Sequence, residues 1–476
     1  MNSKMKHLFI GFIASLSFSL TVDAQQLHTL TLEQSIEMAI KNVQDLKNLK
    51  LDIALQQTKN REIEGSAYPQ VNANITMQRL FAIPVTVIPD FISPAVYGVL
   101  TNEGVRDGNG NPIKMPDNFG NVPAQFGVPW TASAGFTLQQ LLFQADVFIG
   151  LKARKTAMEY AEANYRVGED KVRENVMNAY YAVLIAQKQL NFLNESEMRL
   201  SKLVQDMSQM YKNGFAEKLD IDKAQVGLNN LLNAKAQLSS MLDGGYANFK
   251  FQLGIPQTDS VVLISELSTQ EVKNGILDEA NFQYAQRNEI QALEKVRKLL
   301  EMDVQRYKLN KLPTLAAFWN FSENAQRQQF DFFKRGQQYP WFQTSIVGLQ
   351  VNMPIFSGFS RNQKIKEANY NLQKHQNTIK NVEQSIDLQK TVARKTLINN
   401  LKIMDASEKN MQLAQNVYNT TKKKYEQGLG SSFEVLTADT DLQNAQSNYF
   451  TALYNALIAK VNYMKALGKL SEKSSN

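Results

Sequence analysis

The sequence predicts a mainly α-helical chain with four β-strands of membrane-crossing length, built as two copies of one plan and completed only by association with further copies. Three observations predict this class: two very long proline-free stretches, Ala145 to Lys212 and Ser360 to Gln427; four segments of strict two-residue alternation; and a duplication that sets them out twice in the same order. The chain has 476 residues, 43% apolar and 20% charged, which is a globular and not a disordered composition.

At the start, Lys4 and Lys6 precede an apolar run from Leu8 to Val22 that ends at Val22-Asp23-Ala24. Residues 1–24 therefore read as a cleaved export signal; the run is short for a spanning helix and a polar segment follows it. No Cys follows the cut, so no lipid-anchored N-terminus is expected. Beyond residue 24 there is no apolar window of spanning length, and membrane insertion would have to be as a β-barrel.

The first copy spans 25–256. Thr31-Leu-Glu-Gln34 is a capping box opening a helix over 32–66. In a strand at about 69–79, Val71, Ala73, Ile75 and Met77 alternate with Gln70, Asn72, Asn74 and Thr76. Seven of the twelve prolines and six glycines fall between 81 and 130, predicting a long irregular loop. A second strand, about 129–142, alternates Trp130, Ala132, Ala134, Phe136 and Leu138 with small or polar residues. The long helix that follows would run roughly 100 Å at 1.5 Å per residue. Its positions 172, 176, 179, 183 and onward to 211 step by four and three, and eleven of these twelve are apolar, Glu197 being the exception. That is a sustained heptad seam. A return helix over 219–253 closes the copy.

The second copy spans 257–476 and repeats the order: a leading helix at about 278–310, strands at about 313–321 and 341–355, a second long helix from Ser360, and a return helix at 433–467 with an Ala-rich seam. Tyr211-Lys-Asn-Gly214-Phe215 matches Tyr425-Glu-Gln-Gly428-Leu429 at an offset of 214, and Leu253-Gly254 matches Leu467-Gly468 at the same offset. Tyr68-Pro69 pairs with Leu312-Pro313 at 244, and Leu142-Phe143 with Ile355-Phe356 at 213, so the insertion lies between the strands of each copy. Each strand is long enough to cross a bilayer when tilted, and Trp130, Trp319, Phe321 and Trp341 fall near the expected strand ends, as an aromatic girdle requires.

Four strands cannot close a barrel, so the chain must associate to hide its strand edges. Two copies would give eight strands and a filled interior, three would give twelve and room for water; the residues alone do not choose between them.

Other chemistries are poorly supplied. With no Cys and three His, thiolate metal sites, disulfides and Cys nucleophiles are excluded, and no cofactor is called for. A formal charge of +7 over the whole chain does not point to nucleic acid. His375 lies on a helical seam and reads as packed, His28 has no evident partner, and Gly428-Leu-Gly430 lacks the context of a phosphate loop. The chain is not expected to be an enzyme.

The order of Leu30-Thr-Leu-Glu-Gln-Ser-Ile-Glu-Met-Ala-Ile-Lys-Asn42, Tyr-Pro after the first helix, Met353-Pro-Ile-Phe-Ser-Gly358 after the last strand and two Tyr-x-x-Gly turns resembles the TolC-like outer-membrane efflux channel family over nearly all of 25–470. The resemblance implies a homotrimer: a 12-stranded β-barrel with four strands per chain in outer-membrane lipid, continuous with a long periplasmic α-helical barrel. It further implies docking to a periplasmic adaptor (membrane fusion protein) and an inner-membrane pump, with passive conduction of small molecules to the exterior. Carried over by position, the entrance gate is Asp220 and Glu434 with Tyr211, Tyr425 and Lys218, and the adaptor-docking turns are Gly214, Phe215, Ala216 and Gly428, Leu429, Gly430. Two positions depart from the family: Gly430 replaces a basic residue of the lock and Thr437 a second acid. The lock is therefore expected to rest on Tyr425 and the Lys218 region. A second reading of the acids is capping, since Ser431-Ser-Phe-Glu434 is itself a capping box and Asp220 lies in a first helical turn. The alternative for the whole chain is an exported coiled-coil structural or adhesive surface protein without transport activity; it leaves the strand pairs of membrane length unexplained.

Overall fold

The computed structural model describes residues 26–264, 272–273 and 282–471. The predicted signal lies outside them, as does the start of the predicted second leading helix. In chain order the elements are β1 (Leu27–Leu30), α1 (Leu32–Asn42), α2 (Gln44–Ala67), β2 (Gln70–Arg79), β3 (Val85–Pro89), α3 (Ile92–Asn102), β4 (Asn121–Gln125), β5 (Trp130–Phe143), α4 (Ala145–Lys212), α5 (Lys218–Leu253), β6 (Ser260–Leu263), a 3-10 turn (Tyr284–Gln286), α6 (Asn288–Leu309), β7 (Thr314–Arg327), β8 (Phe342–Asn352), α7 (Ser360–Glu426) and α8 (Ser432–Leu467). They form two compact units. One holds the chain up to Gln57, Lys155–Leu299 and the chain from Asn371; the other holds Thr58–Arg154 and Leu300–Tyr370. Each unit draws on both sequence copies.

The helical unit is organised by its seams. The Thr31 side chain accepts from the Gln34 amide and the Gln34 side chain accepts from the Thr31 amide, so the capping box opens α1 as read. The leading helix is not continuous: Val43 turns extended, at φ −61° and ψ 128°, and separates α1 from α2. Near this break Val176, Tyr180, Val183, Phe249 and Leu253 are buried together with Leu46. The α8 seam is buried through Ala452, Ala456, Ala459 and Ala466, where small side chains let the neighbouring helices approach. Glu197, the polar exception in the α4 seam, is matched across to α5 by Lys235 at 2.5 Å. His375 Nε2 lies 2.8 Å from the Leu293 carbonyl, a packed position. His28 is not alone: its Nε2 lies 3.1 Å from Asp259 Oδ2, beside the small parallel pairing of β1 with β6. That pairing sets Leu27 beside Ser260, joining the opening of the first copy to the opening of the second, which no local pattern announces.

In the second unit β2, β5, β7 and β8 form one antiparallel sheet in the order β2-β5-β7-β8. All four expected strands are present, with one substantial correction: β7 runs on to Arg327, well past the expected end at Phe321. Trp319 and Phe321 are therefore mid-strand and not at a strand end, while Trp130 opens β5. Ile355 and Phe356 lie outside β8, so their match to Leu142-Phe143 is one of sequence and not of strand position. The proline-rich segment is irregular only in part: residues 103–120 hold turns and one isolated bridge, while β3, α3 and β4 are regular. β3 pairs antiparallel with β4, Pro89 and Pro123 sit on strands of a two-stranded edge where a missing donor is tolerated, and the Asp90 carboxylate receives the Ile92 and Ser93 amides at the start of α3.

Candidate channel wall and entrance

The sheet register sorts the strand residues into two faces. Val71, Ala73, Ile75 and Met77 of β2 stand opposite Leu138, Phe136, Ala134 and Ala132 of β5. Those continue to Trp319, Phe321, Glu323 and Ala325 of β7, and Leu315, Ala317 and Trp319 lead on to Val351, Leu349 and Val347 of β8. Up to Phe321 this face is apolar apart from Gln140, opposite Ala317, and Ser345, opposite Phe321. The other carries Asn72, Asn74, Thr76, Gln139, Thr137, Ser133, Asn320 and Gln350, with Leu141, Phe318 and Ile346 as apolar members among them. One face suits hydrocarbon and the other water, the arrangement of a transmembrane barrel wall. Beyond Phe321 the apolar face turns polar with Glu323, Gln343 and Arg327, so the end of β7 projects past the apolar band; the alternation that marks the strand in sequence fades there for that reason. Phe332 from the following loop covers Ala132 and Ala325 at this end, against Trp130. Among the described residues both outer strands lack partners along their free edges, and nearly every residue of β2 and β8 is exposed.

Where each long helix meets its return helix, the two hairpins are built alike. The Gly214 amide donates to the Tyr211 carbonyl and the Phe215 amide to Met210; the Gly428 amide donates to Tyr425 and the Leu429 amide to Lys424. Gly214 and Gly428 have φ of +79° and +74°, the left-handed conformation that ends a helix without a Cβ clash. Phe215 and Leu429 project outward, 79% and 76% exposed. The hairpins pack on each other through Leu203, Met207, Ala224, Val435 and Leu442, with Leu436 closing against Gly227.

Tyr425 is the expected gate residue that bridges the two hairpins: its hydroxyl lies 3.2 Å from Met210 Sδ and donates to it. Burial, then the nearby Asp206 and Asp220 carboxylates, push its phenol above the ordinary range. Asp220 thus shares this neighbourhood with Tyr425, while Tyr211 and Lys218 are exposed. The Glu434 amide is capped by Ser431 Oγ at 3.2 Å. The Glu434 carboxylate also folds back over Gly430, where an added Cβ would lie 3.2 Å from Oε2. Capping by Ser431 is one-sided: among the described residues no reciprocal bond from Glu434 to the Ser431 amide completes a box.

The sequence pattern of the family described as outer membrane efflux protein matches residues 128–248 and 283–469. The chain belongs to the outer membrane efflux protein family. The match takes in β5, α4, most of α5, α6, β7, β8, α7 and α8, and therefore both hairpins and three of the four sheet strands. Among relatives, outer membrane protein TolC of Salmonella enteritidis is 21% identical over 350 residues, covering 72% of this chain and 70% of that one. Among solved structures, the Campylobacter jejuni CmeC outer membrane channel aligns with a TM-score of 0.68 at 16% identity, over 94% of this chain and 87% of that one. The outer membrane protein VceC of Vibrio cholerae aligns with a TM-score of 0.66 at 12% identity, over 92% and 96%. As an outer membrane efflux protein the chain combines membrane β-strands with a periplasmic helical part, and it belongs to a family of channels and not of enzymes.

Sequence reading missed one charged cluster of this efflux protein. Asp439 of α8 is buried; its Oδ1 receives Arg199 Nε at 3.0 Å and its Oδ2 receives Gln443 Nε2 at 2.5 Å. The Arg199 guanidinium also lies over the Tyr418 ring at 5.2 Å and reaches Ser196 Oγ at 2.5 Å. Tyr418 is pushed above its ordinary range by burial and by Asp439, against the opposing effect of Arg199. The signal available in sequence was Asp439 next to the seam position Ala438.

Proposed function

We propose that three copies of this chain close a twelve-stranded barrel and a periplasmic helical tunnel, and that the assembly passively conducts small molecules outward from an inner-membrane pump and a periplasmic adaptor. The observation that carries this reading is the pair of outer edges, on β2 and β8, that lack partners among the described residues, in a sheet with one mainly apolar and one mainly polar face. Because directions alternate along β2-β5-β7-β8, the β8 edge of one copy and the β2 edge of the next run opposite ways. Head-to-tail joining then continues the antiparallel pattern around a closed ring. Three copies leave room for water where two would fill the interior with side chains. Energy is spent in the pump; no cofactor and no catalysis belong to this chain.

The hairpin ends are the entrance. Asp220 and Glu434 place carboxylates near its rim, and in a narrow ring like charges repel and cations are attracted. Tyr425, held to Met210, is the latch between hairpins, and the exposed Tyr211 and Lys218 complete the entrance. The turns Gly214, Phe215, Ala216 and Gly428, Leu429, Gly430 offer the exposed surface to the adaptor. A heat-modifiable trimer in outer-membrane extracts is expected, whereas release of the protein by a mild salt wash would favour a surface-attached coiled coil. In planar bilayers Tyr425→Phe with Lys218→Ala should raise single-channel conductance; an unchanged conductance would remove these residues from the gate.

A further inference from the structure

We propose that the groove between the end of α6 and the start of α7 binds the phosphate headgroup of an anionic phospholipid in the membrane leaflet that faces the helices. The groove, of about 540 Å³, is lined by Lys308, Lys311 and Lys366 with Phe359, Asn362 and Gln363. Among the described residues none of the three lysines has an acidic partner. Arg306 pairs with Asp303 and reaches Asp146, Arg361 Nη1 donates to the Pro354 carbonyl, and among the described residues no ion pair joins Lys366 to Glu367, which follows it in the chain.

Two further observations identify the ligand. The first is charge that belongs to one copy only. Segments 306–311 and 359–366 carry six Lys or Arg and no acid, while the matching stretches of the first copy, 62–67 and 145–152, carry three acids and one Lys. The first copy makes the same joint without this charge, and its Asp146 reaches Arg306 and Asn310 but, among the described residues, none of the three groove lysines. The second is position. The groove adjoins the helix end of the sheet, and the chain between β8 and α7 exposes Met353, Ile355, Phe356 and Phe359, the last two 77% and 69% exposed. Apolar and aromatic side chains next to clustered lysines match the boundary where acyl chains give way to headgroups. The amides of Asn362 and Gln363 can donate to phosphate or glycerol oxygens between the lysines. This assignment rests on the sheet being the membrane portion of the chain.

The test is native mass spectrometry of the detergent-purified assembly titrated with phosphatidylglycerol, with phosphatidylcholine and inorganic phosphate as separate arms. Saturable uptake of phosphatidylglycerol over phosphatidylcholine is expected, undisturbed by inorganic phosphate at equal concentration. Lys308→Gln, Lys311→Gln and Lys366→Gln together should weaken it roughly a hundredfold, about fivefold for each lysine at an anionic surface. The same three positions changed to Arg should retain it, and Lys374→Gln, Lys380→Gln and Lys402→Gln, which remove equal charge elsewhere on α7, should leave it unchanged. Wild-type binding by the Gln variant, equal uptake of the two lipids, or displacement by inorganic phosphate would each overturn the proposal. Heat-modifiable migration of every variant reports assembly separately, so loss of the barrel is not mistaken for loss of the lipid.

Discussion

Gly468 lies against the main chain of Gln286, so near that a Cβ at Gly468 would come 3.0 Å from the Gln286 carbonyl oxygen. Gly254, its counterpart in the first copy, stands in the same relation to Asn42, whose carbonyl carbon would lie 2.9 Å away. Gly254 and Gly468 each end a return helix, with φ of +68° and +73°. Gly254 therefore seats the end of α5 on the break between α1 and α2, and Gly468 seats the end of α8 on the 3-10 turn before α6; Asn42 and Gln286 keep the same offset as Tyr68 and Leu312. A side chain at either glycine meets backbone, which cannot step aside, in a conformation that L-residues disfavour. Gly468→Ala should destabilise by about 2 kcal/mol, from the left-handed conformation and the contact together. Gly244→Ala is the contrast: it sits in α5 with open space around it and should stabilise by about 0.5–1 kcal/mol. Thermal melting of the helical circular dichroism signal reads both; similar effects at the two sites would remove the close approach as the cause.

What could be read ahead of the structure was whatever depends on period. The capping box at Thr31, the unbroken length of α4 and the sheet residues with a lipid-compatible face are all local patterns, and each stands where alternation or heptad spacing put it. The break at Val43 was not legible, because no Pro or Gly marks it and the backbone packed against it, at Gly254, is distant in sequence. β3 and β4 were hidden by the prolines and glycines that separate them. The end of β7 was missed because Glu323 and Arg327, on the face that carries Phe321, are polar. Asp439 stands beside the seam position Ala438, but its role was not legible, because a buried acid is recognised by its partner and Arg199 lies 240 residues away.

The face assignment makes opposite predictions for neighbouring residues. Ile75 and Val347 are each 79% exposed on the apolar face, in β2 and β8. A charge there meets hydrocarbon, so Val347→Lys should destabilise the inserted form by roughly 2–4 kcal/mol if it lies near the bilayer midplane. Asn74 and Gln350 belong to the other face, and Asn74→Lys should leave outer-membrane assembly intact while shifting conduction toward anions. Comparing the heat-modifiable fraction of the two variants, and reversal potentials for Asn74→Lys, checks both. Equal assembly of Val347→Lys and Asn74→Lys would mean that the faces are misassigned.

Arg199 and Asp439 join the two hairpins at a buried point, with side chains 21% and 3% exposed. A buried pair adds little net stability over apolar replacement, but breaking it leaves one charge uncompensated, at about 3 kcal/mol. Asp439→Ala strands Arg199 beneath Tyr418 and should lower the melting temperature clearly. Arg199→Met with Asp439→Leu should recover much of the loss. The hairpins held by this pair carry the proposed entrance, so Asp439→Ala should also raise baseline conductance in planar bilayers. A double variant as unstable as the single would show that the pair is not what the site depends on.

Asp170 offers a pH test within the helical unit. Its Oδ2 receives the Asn288 side-chain amide at 2.7 Å, with Arg173, Arg287 and Glu289 as the charged groups around it. Burial is the dominant influence and raises its pKa above the ordinary 3.8, against the lowering effects of Asn288, Arg173 and Arg287 and with Glu289 adding to the rise. The folded chain therefore keeps this proton over a range in which the unfolded chain has released it. The stabilising contribution is complete below the ordinary carboxylate value and disappears as pH rises through the raised one, leaving an ionised Asp170 as a net cost at neutral pH. Asp170→Asn keeps an acceptor for the Asn288 amide and removes the charge. It should raise the melting temperature at pH 7, and the gain should shrink toward zero as pH falls to the ordinary carboxylate range. A variant less stable than wild type at pH 7 would instead show that attraction to Arg173 and Arg287 outweighs desolvation, since neutralising the carboxylate would then remove more than it relieves.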